Sequence, residues 1–266
     1  MKKCFIYIFS LLLSYNSINA QKLQSKEQIL AEMSNVGTVH NQSLDNFYNQ
    51  IKLQKDEIAS RKGDDPKAII LDIVGQTILV NIPSNPMEPY LRTSESTVKS
   101  ILESEFEKTK TNLSKSKAEI VKELNLTEDE KKYVTDLLSI VSLYSQNPPK
   151  LESEIATFND KVYANFSKTP NTIKVLFAAS SIAKSSALYW NENSNKWKEI
   201  AFNSTNISGK NEACCKTVVT ADIGGAVGGA VTGLMAGGIG AIPGAAAGAV
   251  GGSLAQGVIE FLNWLW

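Results

Sequence analysis

The chain has 266 residues, with 27 basic and 27 acidic side chains and 43% apolar residues. That length allows one or two domains, and the apolar share supports a core and excludes global disorder. The balanced charge excludes the basic surplus that drives binding to a phosphate backbone, so no nucleic-acid partner is expected.

The chain opens with MKKCFIYIFSLLLSYNSINAQ. Lys2 and Lys3 precede a short apolar run, and Ala20 supplies a small residue at a cleavage position. Residues 1–20 read as a secretory signal peptide, which places the mature protein outside the cytoplasm: secreted, or in the cell envelope as a periplasmic or membrane-associated protein. The mature chain then keeps two cysteines, Cys214 and Cys215, and they are adjacent. A bond between sequence neighbours closes a strained ring, so no long-range disulfide staples the fold. Both cysteines are candidates for intermolecular or vicinal oxidation.

Next comes a series of helical signals. Ser25 and Gln28 fit a capping box, and Ile29, Met33, Val36, Leu44, Phe47, Ile51 and Ile58 follow at helical spacing, with Gly37 a candidate interruption. Asp65 and Pro66 form a stop and restart; residues 67–83 then read as a buried helix in preference to a strand, since no partner strand is evident. Residues 83–89 are a proline-rich connection. Residues 94–124 form a charged amphipathic helix whose Glu/Lys run is a solvated face. Thr127 and Glu130 open a helix running to about Tyr144, which Asn147-Pro148-Pro149 ends. A further helix spans 151–166. Thr169-Pro170 starts NTIKVLFAASSIAKSSALYW, apolar on most of its surface and therefore expected at the centre of a bundle. NENSNKW reads as a polar turn and FNSTNISGKNEACCK as a linker. Helix follows helix through short polar joints, so the fold class is all-α: a helical bundle over 21–210, followed by a Gly/Ala-rich C-terminal helical hairpin over 211–266.

That final segment departs most from average composition. Thirteen of the chain's 17 glycines lie between Gly224 and Gly257, and no Lys, Arg, Asp or Glu lies between Asp222 and Glu260. The spacing fits neither a Rossmann nor a Walker phosphate loop. What holds is a period of four: Gly225, Gly229, Gly233 and Gly237, then Gly240, Gly244, Gly248 and Gly252. Residues four apart share a helix face, and a face without side chains lets a second backbone come close. Each glycine costs an isolated helix about 1 kcal/mol relative to alanine, so such a segment needs a partner helix or a bilayer. A single helix over 223–259 would be about 55 Å long, against a hydrocarbon core of about 30 Å. Pro243 is therefore the expected hairpin turn between legs 223–241 and 244–262, and Phe261, Trp264 and Trp266 are candidate membrane-interface residues, or else aromatics packed on the bundle.

The four-spaced glycines from Gly225 to Gly252 resemble the glycine-zipper segments of small membrane-active bacteriocins of class II, and a Gly/Ala hairpin after a helical bundle looks like the general plan of pore-forming colicin domains. The resemblance implies a bacteriocin-like or pore-forming activity at a membrane. GTVHNQSLDNFY and SSALYWNENSNKW resemble segments of uncharacterised secreted bacterial proteins, which implies no function.

The chain has one histidine, His40, which leaves no multi-His metal site and no motif for a His-based triad. His40 with Asp45 is a candidate catalytic pair, but a surface or helix-joint histidine is the expectation. No catalytic, cofactor or metal residues are assigned, and no enzymatic activity is expected. The leading functional expectation is a hairpin that mediates membrane association or helix–helix assembly, its partners being a membrane or the protein's own helices, with a homo-oligomer open. The alternative is a soluble structural or binding protein whose zipper is internal core.

Overall fold

The computed structural model describes residues 24–60, 104, 117–201, 219–228, 245, 248, 249 and 252. All the regular structure among them is helical: α1 (Lys26–Ser60), α2 (Lys117–Glu123), α3 (Glu128–Tyr144), α4 (Pro148–Asn165), α5 (Pro170–Ala201) and a helical run over 219–228. The protein is all-α.

Local chemistry sets the helix ends. Ser25 Oγ accepts the Gln28 amide at 3.3 Å, while Gln28 Oε1 accepts the Ser25 amide at 2.9 Å. The same reciprocal box opens α3, where Thr127 Oγ1 accepts from the Glu130 amide at 3.3 Å and Glu130 returns the bond to the Thr127 amide at 2.8 Å. Each box satisfies two amides that lack an intrahelical acceptor. Asn147 does more than end α3. Its Oδ1 accepts the Lys150 amide at 3.3 Å and Pro148 follows at the first helical position, so α4 starts at Pro148, earlier than the apolar pattern suggests.

Two features depart from the sequence reading for one reason, tertiary contact. α1 continues through Gly37 without a break, because the missing side chain makes room for α5. NENSNKW is not a turn: α5 carries it as helix to Ala201, held by Trp197, which stacks on Phe47 and meets Tyr48 edge-on.

α5 is central. It packs against α1, α4 and α3, while α3 also packs on α4 and α2. Its Ile173, Leu176, Phe177 and Ile182 are fully buried with Met33, Leu44 and Phe47 of α1, Leu137 of α3 and Leu151 of α4. Each such side chain contributes about 1.5–3 kcal/mol by leaving water. Val219, Ile223, Ala226, Val227, Ala245 and Ala249 belong to the same core, so the described part of the glycine-rich segment is packed with the bundle. Among the described residues no helix is long and apolar enough to cross a membrane.

Several expectations fall outside the described residues: the signal peptide, the helix at 67–83, Cys214 and Cys215, Pro243, Gly229, Gly233, Gly237, Gly240 and Gly244, and Phe261, Trp264 and Trp266.

Candidate functional site

α1 and α5 run parallel and share a polar ladder. The Gly37 amide donates to Ser181 Oγ at 3.2 Å, Asn41 Nδ2 donates to the Ser185 carbonyl at 3.1 Å, and the Tyr189 hydroxyl donates to Asp45 at 3.1 Å. The two partners are 144 residues apart in every case. Both helices therefore advance together, about one turn per rung. A Cβ on Gly37 would overlap Ser185 and lie 2.8 Å from the Ser181 carbonyl oxygen, so only glycine allows this approach. The stretches GTVHNQSLDNFY and SSALYWNENSNKW are the two sides of this seam.

An aromatic cluster closes the far end of the ladder. Trp197 Nε1 donates to the Tyr189 hydroxyl at 3.0 Å. Lys196 reaches Asp45 at 2.8 Å, with its ammonium 4.3 Å from the centre of the Tyr48 ring. Burial, together with the Asp45 charge, pushes the Tyr189 hydroxyl well above the usual phenol range, so it remains a donor.

At the middle of the ladder the tail meets both helices. Asp222, His40 and Ser186 are completely buried. Ser186 Oγ donates to Asp222 Oδ2, and His40 Nε2 lies 3.5 Å from the same oxygen. On its other side, His40 Nδ1 is 2.9 Å from Asn41 Oδ1. Because Asn41 Nδ2 already donates to Ser185, its Oδ1 is the atom facing His40, which puts a proton on Nδ1. His40 is thus buried beside the Asp222 carboxyl group. This corrects the expectation of a surface or helix-joint histidine. The carboxylate beside His40 comes from the tail, and Asp45 faces Tyr189 and Lys196. Asp222 had a readable signal: it is the acidic residue that heads the charge-free span, and a carboxylate packed among apolar residues needs a partner.

The carboxylate stands between serine and imidazole. A nucleophilic triad instead places the imidazole between hydroxyl and carboxylate. The arrangement here suits a structural tie among three elements. Among the described residues no group of three or more His, Cys, Asp or Glu side chains could hold a metal.

Three zipper glycines are described, and they meet backbone. A Cβ on Gly225 would overlap the Gly248 carbonyl, with the carbonyl carbon at 2.7 Å. One on Gly252 would lie 2.5 Å from the Ala221 carbonyl oxygen. From Ala221 to Gly225 the chain rises four residues, and the facing position falls from Gly252 to Gly248. The two stretches are therefore antiparallel, with glycine at each close approach.

Residues 179–264 match a family model described as a family of unknown function (DUF6861). The match begins inside α5 and takes in Ser181, Ser185, Ser186, Tyr189, Lys196, Trp197, Asp222 and the three described zipper glycines. α1 lies outside it. Comparison with curated proteins and with solved structures returns no match.

Proposed function

We propose that the protein is a secreted or envelope helical protein whose glycine-rich tail is a helix-assembly element, and that in the resting chain its partners are the protein's own helices. The observation that carries this reading is the approach of Gly225 to the Gly248 backbone, next to an Asp222 carboxylate buried between α1 and α5. Of the two sequence-based expectations, this geometry favours the zipper as internal core in a structural or binding protein.

The test is Gly225→Ala. In open space alanine would stabilise the helix by about 1 kcal/mol. Here it overlaps a backbone carbonyl that cannot rotate away, and overpacking costs about 1–3 kcal/mol. The melting temperature of the whole protein should fall. A rise would sink the reading.

One feature favours a second reading, membrane association in a bacteriocin-like or pore-forming role: the span between Asp222 and Glu260 carries no charge. That reading requires wild-type protein to release dye from anionic lipid vesicles, and silence in that assay would remove it. The secreted or envelope location requires an intact mass that matches a mature chain starting at Gln21.

A further inference from the structure

We propose that α1 is a strap: residues 34–48 hold residues 219–228, the head of the glycine-rich segment, against α5, and lifting this stretch frees them while α3 and α4 stay folded.

Three observations carry the proposal. First, the ladder fixes α1 on α5 at Gly37, Asn41 and Asp45, all in one register. His40 sits between the first two rungs, so a slide or lift of α1 moves its ring away from Asp222. Second, Asp222 is completely buried, and Ser186 of α5 and His40 of α1 both meet its carboxyl group. The titratable groups described at this node are Asp222 and His40, and the next along the seam are Asp45, Tyr189 and Lys196. Withdrawing His40 takes away a polar group that meets a carboxyl group buried among apolar residues, where loss of a polar contact is costly. The tail is thus coupled to the position of α1, and by linkage α1 is coupled to the tail. Third, α1 divides into two stretches by where it is tied. Near its start, Lys26 pairs with Asp160 and Glu32 with Lys174, anchoring it to α4 and early α5. From 34 to 48 its ties run to Ser181, Ser185, Tyr189, Lys196, Trp197 and Asp222, all within the matched segment 179–264. The first stretch is a hinge-side anchor and the second is the strap.

Hydrogen exchange on the full chain tests this, read segment by segment by mass spectrometry. Gly37→Leu places an isobutyl group against the Ser181 carbonyl and the Ser185 side chain and should lift the strap. The expected result is loss of protection in 34–48 and in 219–228, with α3 and α4 as protected as in wild type. Asn41→Ala, a milder change, should give the same pattern with smaller losses. Full protection at 219–228 in a variant whose 34–48 stretch has opened would overturn the proposal. So would uniform loss across all helices in both variants, because the chain would then open as one unit. Exposure of the tail does not depend on what the tail binds. Addition of anionic lipid vesicles to Gly37→Leu protein reads that separately, and failure to bind there would strike the membrane reading and leave the strap intact.

Discussion

Gly37 of α1 lies against Ser185 of α5 with no room for a Cβ between them. Two effects of Gly37→Ala therefore oppose each other. Alanine favours the helix by about 1 kcal/mol. Overpacking opposes it by about 1–3 kcal/mol, and the atoms in the way include the Ser181 carbonyl oxygen at 2.8 Å, which is backbone. Overpacking should win, lowering stability by up to about 2 kcal/mol and the melting temperature by a few degrees, on the order of 2–4 °C per kcal/mol in a chain of this size. Adding Ser185→Gly should recover part of the loss, because it removes the hydroxyl and Cβ but leaves the Ser181 carbonyl. A more stable Gly37→Ala protein would mean that the seam is open there.

The second prediction concerns acid. Burial acts to raise the Glu130 carboxyl, but hydrogen bonds from the Thr172 hydroxyl and from the Thr127 amide and hydroxyl outweigh it and hold it below its ordinary value of 4.5. A carboxylate depressed in the folded state stabilises that state above its unfolded pKa, and the contribution disappears as pH falls through the folded value. Urea unfolding of wild type and Glu130→Gln, at about pH 7 and about pH 3, isolates this group because the other carboxylates cancel. Wild type should be the more stable at neutral pH, and the gap should narrow in acid. A gap of constant size would show that the capping box works without charge.

Much of this architecture is legible in the sequence because its causes are local. The boxes at Ser25 and Thr127 and the start at Pro170 depend on residues within one turn of each other. The apolar content of α5 places it at the centre for a similarly local reason. The sequence reading fails where a distant partner decides. Gly37 looks like a break until the serines of α5 occupy the space it leaves. Asn191 to Trp197 look like a turn until the Trp197 ring is seen stacked on Phe47. His40 looks exposed because nothing near it in sequence explains a buried imidazole; its explanation is Asp222, at the head of the tail. The period-four glycines and Pro243 lead to two legs packed backbone to backbone but do not fix their register. The register, Gly225 against the Gly248 backbone, had to come from the structure.

The third prediction reads the buried node directly. His40 is the chain's only histidine, so its imidazole gives one set of resonances in a spectrum of histidine-labelled protein. The hydrogen-bond network assigns a proton to Nδ1, facing Asn41 Oδ1, in a ring that is completely buried. A ring N–H in such a place exchanges slowly with water, because exchange requires the site to open. An Nδ1–H signal should therefore be visible and protected at neutral pH. Asn41→Ala removes its acceptor and, with it, one rung of the ladder, so the signal should broaden or vanish. Asp222→Asn keeps the shape of the tail residue but removes the carboxylate, and should shift Nε2 while leaving Nδ1–H in place. Ser186→Ala removes the hydroxyl bond to Asp222 and should move the His40 resonances less than Asp222→Asn does. A rapidly exchanging imidazole in the wild type, or resonances indifferent to Asp222→Asn, would mean that His40 does not meet the tail, and the tie between α1 and the glycine-rich segment would fall with it.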